Sequence, residues 1–337
     1  MINLTTNYLG LELKNPLVPS ASPLSKNLDT AKLLEDAGAA ALVMYSLFEE
    51  ELLTEDAMME RFLVHGALGH NEANSYLPDD GTFRSGLDRY LEQIQRLKTH
   101  LDIPVVASLN GVSLSGWVKL GQELQQAGAD ALELNVYHIA ADPEQSGDAV
   151  EDRYVELLKM LHSVVRIPVV MKLSPFFSAL PNFVKRLEGA KASGVAIFNR
   201  FYQPDIDIDQ LRVQDKLQLS TPDEVLLRLR WLAILRDQTQ LTLAATGGVY
   251  TAGDVIKLLL AGADVVHLAS SLLLHGPGRL REILAGLQVW LEENEYESVR
   301  QMKGSMSLGR LRDASAMVRE SYVWVLNGYT PPSGVEF

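Results

Sequence analysis

The chain has 337 residues, 47% of them hydrophobic, with 30 Lys and Arg against 43 Asp and Glu, a formal net charge of −13 and no cysteine. That length and apolar share suit one large domain with an ample core, and the scattered cations in an acidic chain argue against a nucleic-acid partner. Without cysteine the chain holds no disulfide, zinc–thiolate site, iron–sulfur ligation or cysteine base of its own.

The opening MINLTTNYLG has no basic stretch followed by an apolar run, so no secretory leader is expected. No window approaches the ~20 apolar residues of a membrane span. The expectation is a cytoplasmic protein without a membrane partner. NPLVPSA (15–21) reads as a first strand over 15–19, followed by a helical pattern over 28–37. DAGAAALVM (36–44) then ends that helix on a glycine and enters a second strand over 40–45. The same grammar returns in QAGADALEL (126–134), ASGVAIFN (192–199) and LAGADVVHL (260–268). Glycine suits the left-handed residue that closes a helix, and small neighbours let helix and strand pack closely.

IPVVASL (103–109) and IPVVMKL (167–173) read as proline at a strand entrance followed by a fully buried strand. With LTLAATGG (241–248) the strands fall over 15–19, 40–45, 103–108, 130–135, 167–172, 194–199, 241–245 and 264–268. Helices are predicted over 28–37, 86–99, 115–127, 150–164, 179–192, 222–236, 251–261 and 277–293. Buried strands alternating with helices imply a parallel sheet, and eight such units predict an α/β fold of the (β/α)8 TIM barrel type as a single domain, 1–337. A doubly wound open sheet is the rival, but no GxGxxG follows the first strand. Two connections exceed the usual length: 46–85 after strand two and 200–221 after strand six. Residues 295–337 are expected to form a helical extension outside the barrel.

Barrel sites lie at the strand C-termini. Reading only those positions collects Ala21, Ser22, Tyr45, Ser46, Ser108, Asn135, Lys172, Asn199, Thr246-Gly247-Gly248 and Ala269-Ser270-Ser271. The Gly-Gly pair bares backbone N–H groups, a helix start follows, and Ala-Ser-Ser ends the next strand. Together they read as a phosphate cradle. Lys172 ends an apolar strand, where an unpaired ammonium is costly. It is a surface-reaching lysine, a Schiff-base lysine, or a cation set against an electron-rich cofactor edge. Asn135 and Asn199 are neutral amides that suit a planar heterocycle.

The blocks LELKNPLVPSAS, ELNVYH, VVMKLSP, the Asn199 strand end, LSTPDE, TGGVYTAGD and VVHLASS, in this order and spacing, resemble the dihydroorotate dehydrogenase family over nearly the whole chain. The resemblance implies an FMN-dependent oxidoreductase. Hydride would pass to FMN from a CH–CH bond of dihydroorotate or a related planar heterocycle, in pyrimidine biosynthesis. It implies that Gly247, Gly248, Ala269 and Ser270 hold the FMN phosphate. Ala21, Ser22, Ser108 and the Phe198 backbone would line the flavin, with Tyr45, Asn135 and Thr246 alongside. Lys172 would stabilise negative charge on the reduced ring. Tyr45, Asn135 and Asn199 would contact substrate, and no metal is involved.

Three departures stand out. Tyr45 replaces a family lysine, the Asn-x-x-Gly-Leu pattern of loop two is not evident, and Tyr137, His138, Ile139 and Ala140 replace Ser-Cys-Pro-Asn. His138 is then the candidate base, with Tyr137 as an alternative proton carrier and Ser146 as a further candidate. Lys26, Arg84 and Arg200 are the cations that would replace the missing lysine. The implied partners are a small-molecule substrate, a soluble electron acceptor and a second copy in a homodimer. The rival readings are a flavin-free aldolase or isomerase working on a phosphorylated metabolite through Lys172, and a flavin-binding protein without turnover.

Overall fold

The computed structural model describes residues 2–318, apart from 56, 59–84, 112, 201–202 and 215, and a few isolated positions beyond 318. Most of the predicted insert 46–85, with Arg84, lies outside the described residues.

Eight parallel strands form one sheet. They are β3 (Leu17–Pro19), β4 (Leu42–Phe48), β5 (Val105–Asn110), β6 (Ala131–Asn135), β7 (Val169–Leu173), β8 (Gly194–Ile197), β11 (Thr242–Thr246) and β12 (Val265–Leu268). The order is β3-β12-β11-β8-β7-β6-β5-β4. The remaining seam, between β4 and β3, is drawn together at its base by the Ala40 N–H donating to Leu17 O at 2.9 Å. Helices α1 (Leu28–Asp36), α2 (Gly86–His100), α3 (Leu114–Gln126), α4 (Gly147–Val164), α5 (Leu180–Gly189), α6 (Val225–Leu235) and α7 (Ala252–Ala261) follow successive strands. After β12 come α8 (Ser270–His275) and α9 (Gly278–Glu293). The fold is the expected (β/α)8 barrel.

Local signals explain the helix starts. Ser85 and Asp88 form a capping box on α2, and Thr251 and Asp254 form one on α7. Each satisfies backbone donors that a helix start leaves open. Along each strand the side chains alternate between the helix layer and the barrel interior. One residue from every barrel strand builds an inner apolar layer: Val18, Val43, Val106, Ala131, Val170, Ala196, Ala244 and Val265, all buried.

Two short hairpins were not expected from the sequence. β1 (Thr6–Tyr8) and β2 (Leu11–Leu13) turn through Leu9 and Gly10, both at positive φ, and put Tyr8, Leu9 and Leu13 beneath the apolar layer as a plug. The Thr6 hydroxyl donates to Asp264 O at 2.8 Å and ties the plug to the base of β12. The second hairpin, β9 (Asp205–Asp207) with β10 (Arg212–Gln214), stands in the connection after β8.

In the C-terminal extension the described residues include α10 (Val299–Met302) and a 3-10 turn at Ala314–Met317, and Val323 and Asn327 are also helical. Between α10 and the 3-10 turn the chain donates outward: Gly304 N–H to Leu259 O, Met306 N–H to Leu260 O and Leu308 N–H to Ala233 O. These amides satisfy carbonyls at the ends of α7 and α6, and a helix of their own would leave those carbonyls open.

Gly194 opens β8 where the plug meets the barrel. A Cβ there would lie 2.4 Å from Thr242 Oγ1 and 2.8 Å from both Leu9 Cδ2 and Thr242 O. Gly194→Ala is expected to cost about 1–3 kcal/mol by overpacking, read as a lowered urea midpoint with an unchanged slope.

Candidate active site

Two residues beyond the apolar layer the barrel interior turns polar. Ser108, Glu133, Lys172, Thr246 and His267 each follow an inward apolar residue on their strand by two, and all are buried. On β4 the count changes. Val43 pairs with Val106, but Ser46 rather than Tyr45 pairs with Ser108, because the register shifts by one residue between them. This bulge re-aims the strand end. Ser46 Oγ meets Ser108 Oγ at 2.9 Å inside the barrel, while the Tyr45 ring packs edge-on against Tyr90 at 4.8 Å with Lys26 Nζ 4.9 Å above its face. Tyr45 and Lys26 line a separate cavity beside α2. The structure does not bring them to Asn135 and Asn199.

A cavity of about 150 Å³ opens over the polar layer, lined by Ser20, Lys172, Phe198, Thr246 to Gly248, Ala269, Ser270 and their neighbours. Its wall brings together the Gly-Gly turn and the Ala-Ser-Ser strand end that the sequence singles out. Gly247 and Gly248 have φ of 101° and 79°, the left-handed region that favours glycine. A Cβ on Gly247 would lie 2.7 Å from Arg228 Nη2, and one on Gly248 would lie 2.8 Å from Thr221 O. Arg228 is buried behind this turn, donating from Nε to Thr246 O at 2.9 Å and paired with Glu224 at 3.3 Å.

Ser220, in the LSTPDE stretch, joins this wall. Its hydroxyl accepts from Gly248 N–H at 3.2 Å and donates to Ser270 Oγ at 2.7 Å. Two hydroxyls, glycine amides at positive φ and a guanidinium behind them form a donor set that fits a phosphate. Ala21 lines the same cavity. Ser22 is buried at the start of the 3-10 turn Pro23–Lys26, and Ser108 is fully enclosed beneath.

A second cavity of about 580 Å³ adjoins the first, since Asn199 and Arg200 line both. It is walled by Phe48, Leu114, Trp117 and Leu157, and it presents Asn110, Asn135, Tyr137, His138, Arg153, Asn199 and Arg200. Asn199 Nδ2 donates to Asn135 Oδ1 at 2.6 Å. That bond leaves the Asn135 amide nitrogen as a donor and the Asn199 amide oxygen as an acceptor, the two group types that a cyclic amide needs. His138 Nε2 lies 3.0 Å from Gln145 Oε1, and its Nδ1 lies 3.5 Å from Arg153 Nη1. With Nε2–H donating to the glutamine, Nδ1 carries the lone pair. Ser146 is used differently: its hydroxyl accepts from Ala149 N–H at 3.2 Å as the N-cap of α4. Arg200 is held by Glu224 at 3.2 Å, so Glu224 bridges Arg200 and Arg228.

Lys172 Nζ stands 3.2 Å from Glu133 Oε1 in an ion pair with almost no solvent exposure. An ammonium engaged by a carboxylate is not a free amine, which disfavours the Schiff-base reading. A third cavity, of about 600 Å³, lies at the opposite end of the barrel beside the plug and is lined by Arg236, Arg300, Lys303 and Arg310. Arg236 and Lys303 there pair with Asp264, and no strand C-terminus reaches it. No group of residues able to hold a metal ion occurs among the described residues, and no described helix is long and apolar enough to cross a membrane.

His267, buried at the floor of the cavity, has its pKa lowered to about 4, chiefly by burial, with Glu133 pulling it back up and Lys172 adding a smaller push down. The unfolded chain, with an ordinary histidine pKa of 6.5, therefore binds the proton first. Stability is full above the unfolded value, falls as pH drops through the window down to about 4, and loses about 3 kcal/mol at the bottom of it. His267→Gln is expected to flatten that part of the acid limb in urea melts recorded across pH.

The sequence profile of the dihydroorotate dehydrogenase family matches residues 70–291. Over 316 residues the chain is 27% identical to "Dihydroorotate dehydrogenase B (NAD(+)), catalytic subunit" of Thermoplasma acidophilum, covering 90% of this chain and 99% of that one. It is 26% identical over 328 residues to "Dihydroorotate dehydrogenase A (fumarate)" of Lactobacillus delbrueckii subsp. bulgaricus, covering 91% and 99%. A relative from Pyrococcus abyssi, again an NAD(+) catalytic subunit, is 27% identical over 306 residues, covering 89% and 98%. With a profile match spanning most of a barrel whose polar residues gather at the strand C-termini, the chain belongs to the dihydroorotate dehydrogenase family.

Proposed function

We propose that the chain is an FMN-dependent oxidoreductase that takes hydride from a CH–CH bond of dihydroorotate or a related planar, amide-bearing heterocycle, in pyrimidine biosynthesis. The observation that carries this reading is the junction of the two cavities, where a phosphate cradle, a buried cation and a pair of asparagine amides converge around Asn199. Bound FMN supplies the hydride-accepting ring. Gly247, Gly248, Ala269, Ser270 and Ser220 would hold its phosphate, with the Arg228 guanidinium behind them. Ala21, Ser22, Ser108, Thr246 and Phe198 would line the ring, and Lys172 would stabilise negative charge on it.

Asn135 and Asn199 orient the substrate through their remaining donor and acceptor. Arg153 and Arg200 are the cations that line the larger cavity, and they take over the carboxylate contact for which a lysine in the place of Tyr45 was expected. His138, its ring turned by Gln145, accepts the substrate proton at Nδ1, and Tyr137 on the same wall is the alternative carrier. Tyr45 has no part in this reading, because the β4 bulge turns it to the other cavity.

The relatives named for NAD(+) and for fumarate match at nearly equal identity. A soluble acceptor in the cytoplasm fits both, and any iron–sulfur centre would have to come from another chain. The β9–β10 hairpin exposes Ile206, Ile208, Leu211 and Val213, with Leu211 86% exposed. So apolar a strip supports a homodimer built on this hairpin. Leu211→Asp is then expected to convert the dimer to monomer in light scattering coupled to size exclusion.

The test of the function is an anaerobic visible spectrum. The purified protein is expected to show a flavin spectrum that dihydroorotate bleaches. A flavin spectrum that dihydroorotate leaves unchanged removes this substrate, and a colourless protein that takes up no FMN removes the cofactor. Gly248→Ala, whose Cβ would lie 2.8 Å from Thr221 O and 2.9 Å from Val225 N, is expected to abolish flavin uptake. His138→Ala is expected to keep the flavin and to slow its reduction by about 10²–10⁴-fold.

A further inference from the structure

Lys172 reaches the floor of the smaller cavity, but the carboxylate that holds it does not line either cavity beside Asn199. Glu133 has no solvent exposure. Its Oε1 accepts from Lys172 Nζ at 3.2 Å, and its Oε2 has no hydrogen-bond partner among the described residues. His267 Nδ1 stands 3.7 Å from Oε2, beyond hydrogen-bond reach, and neither of its ring nitrogens has a hydrogen-bond partner among the described residues. The Tyr8 hydroxyl, brought up by the plug, is likewise unpartnered, and its ring stands edge-on to His267 at 5.7 Å.

The groups packed around the pair are neutral near pH 7. Burial holds His267 down at about 4 and pushes the Tyr8 phenol well above its usual value. Asp264, the other carboxylate felt by Tyr8, is already engaged by Arg236 and Lys303 on the far side of the plug. Among the described residues, a single buried carboxylate therefore counters the charge of Lys172. In so dry a setting one unit of charge is felt strongly by anything bound above it.

We propose that Glu133 is a positioning residue for the flavin: it fixes the Lys172 ammonium at the cavity floor and offsets its charge, so that the pair together sets how readily the bound ring accepts negative charge. The inference rests on the flavin reading and deepens it. Glu133 touches neither flavin nor substrate; it acts through Lys172. Without the carboxylate the ammonium would draw negative charge onto the ring more strongly, and without the ammonium the carboxylate would repel it.

The experiment uses the FMN-loaded full chain as wild type, Glu133→Gln, Lys172→Met and the double variant. Each is titrated with sulfite, an anion that adds to the flavin ring and leaves negative charge on it, and each midpoint potential is measured. Glu133→Gln is expected to tighten sulfite binding by about tenfold or more, and Lys172→Met to weaken it by a similar factor. The double variant, neutral again, is expected to return to within about threefold of wild type, with the potentials moving in the same order. Glu133→Asp, which keeps the charge, should fall nearer to wild type than Glu133→Gln.

Sulfite affinity in Glu133→Gln that is unchanged or weaker overturns the inference. If Glu133→Gln alone does not fold, Lys172→Met and the double variant decide. Restored affinity in the double supports the inference, and equal affinity overturns it. A wild type that takes up no FMN removes the flavin reading and this inference with it, whereas FMN uptake with an indifferent Glu133→Gln removes this inference alone.

Discussion

One ion pair in the centre of the barrel constrains much of what surrounds it. Glu133 and Lys172 sit on neighbouring strands, and their residues are staggered: Glu133 pairs with Val170 and Asn135 with Lys172. The side chains therefore meet on a diagonal inside the barrel. A slip of one residue between β6 and β7 would turn one member out into the helix layer and leave the other buried and unpaired, so the register of these strands is pinned as firmly by charge as by packing. The apolar layer from Val18 to Val265 and the plug beneath it keep water from reaching the pair from below. Among the described residues, the pair is met from the C-terminal face, where Lys172 lines the smaller cavity.

That face is assembled from distant parts of the chain. The connection after β8 supplies Arg200 at its start and Ser220 at its end, and the β9–β10 hairpin stands between them. Its length is thus tied to the site at both ends: Arg200 borders the two cavities, and Ser220 bonds to Gly248 and Ser270. The Tyr250 hydroxyl donates to Ser220 O at 2.5 Å and fixes that end against the loop after β11. The glycines let the backbone approach closely, while the serines and Arg228 give the approach its chemistry.

The barrel itself was legible because its signals are long and repeated. All eight strands and the helices between them lie where the apolar runs and the helix-closing glycines place them, to within a few residues. The three-residue strands of the two hairpins are too short to show a period, and α8 is a single turn and a half cut from α9 by Gly276 and Pro277. Among the candidate positions, the Gly-Gly turn, Lys172, Asn135 and Asn199 meet at the two adjoining cavities because each lies at or just past a strand end. Tyr45 does not join them, because one extra residue in β4 exchanges inside for outside and nothing in LVMYSLF announces it. Ser146 looked like a free hydroxyl in a loop, yet a serine just before a helix is already spoken for as its cap. Glu133 went unnoticed among candidates because a single acidic residue in ALELN gives no hint of its partner; only the fold sets it beside Lys172.

Of the departures from the family pattern, Tyr137 and His138 line the larger cavity and Tyr45 lines the one beside α2, while the Gly247-Gly248 turn and Ser270 carry none. The larger cavity and the glycine turn are nonetheless joined. Glu224 holds Arg228 behind the glycine turn with one oxygen and Arg200 at the rim of the larger cavity with the other. Arg228 is the buried member and is fixed further by Thr246 O and Glu224 O, whereas Arg200 is partly exposed. The direction of dependence follows from that asymmetry. The cation behind the glycine turn anchors the carboxylate, and the carboxylate places the cation at the rim of the larger cavity, so residues around that cavity can vary while the geometry they inherit is set by the turn after β11.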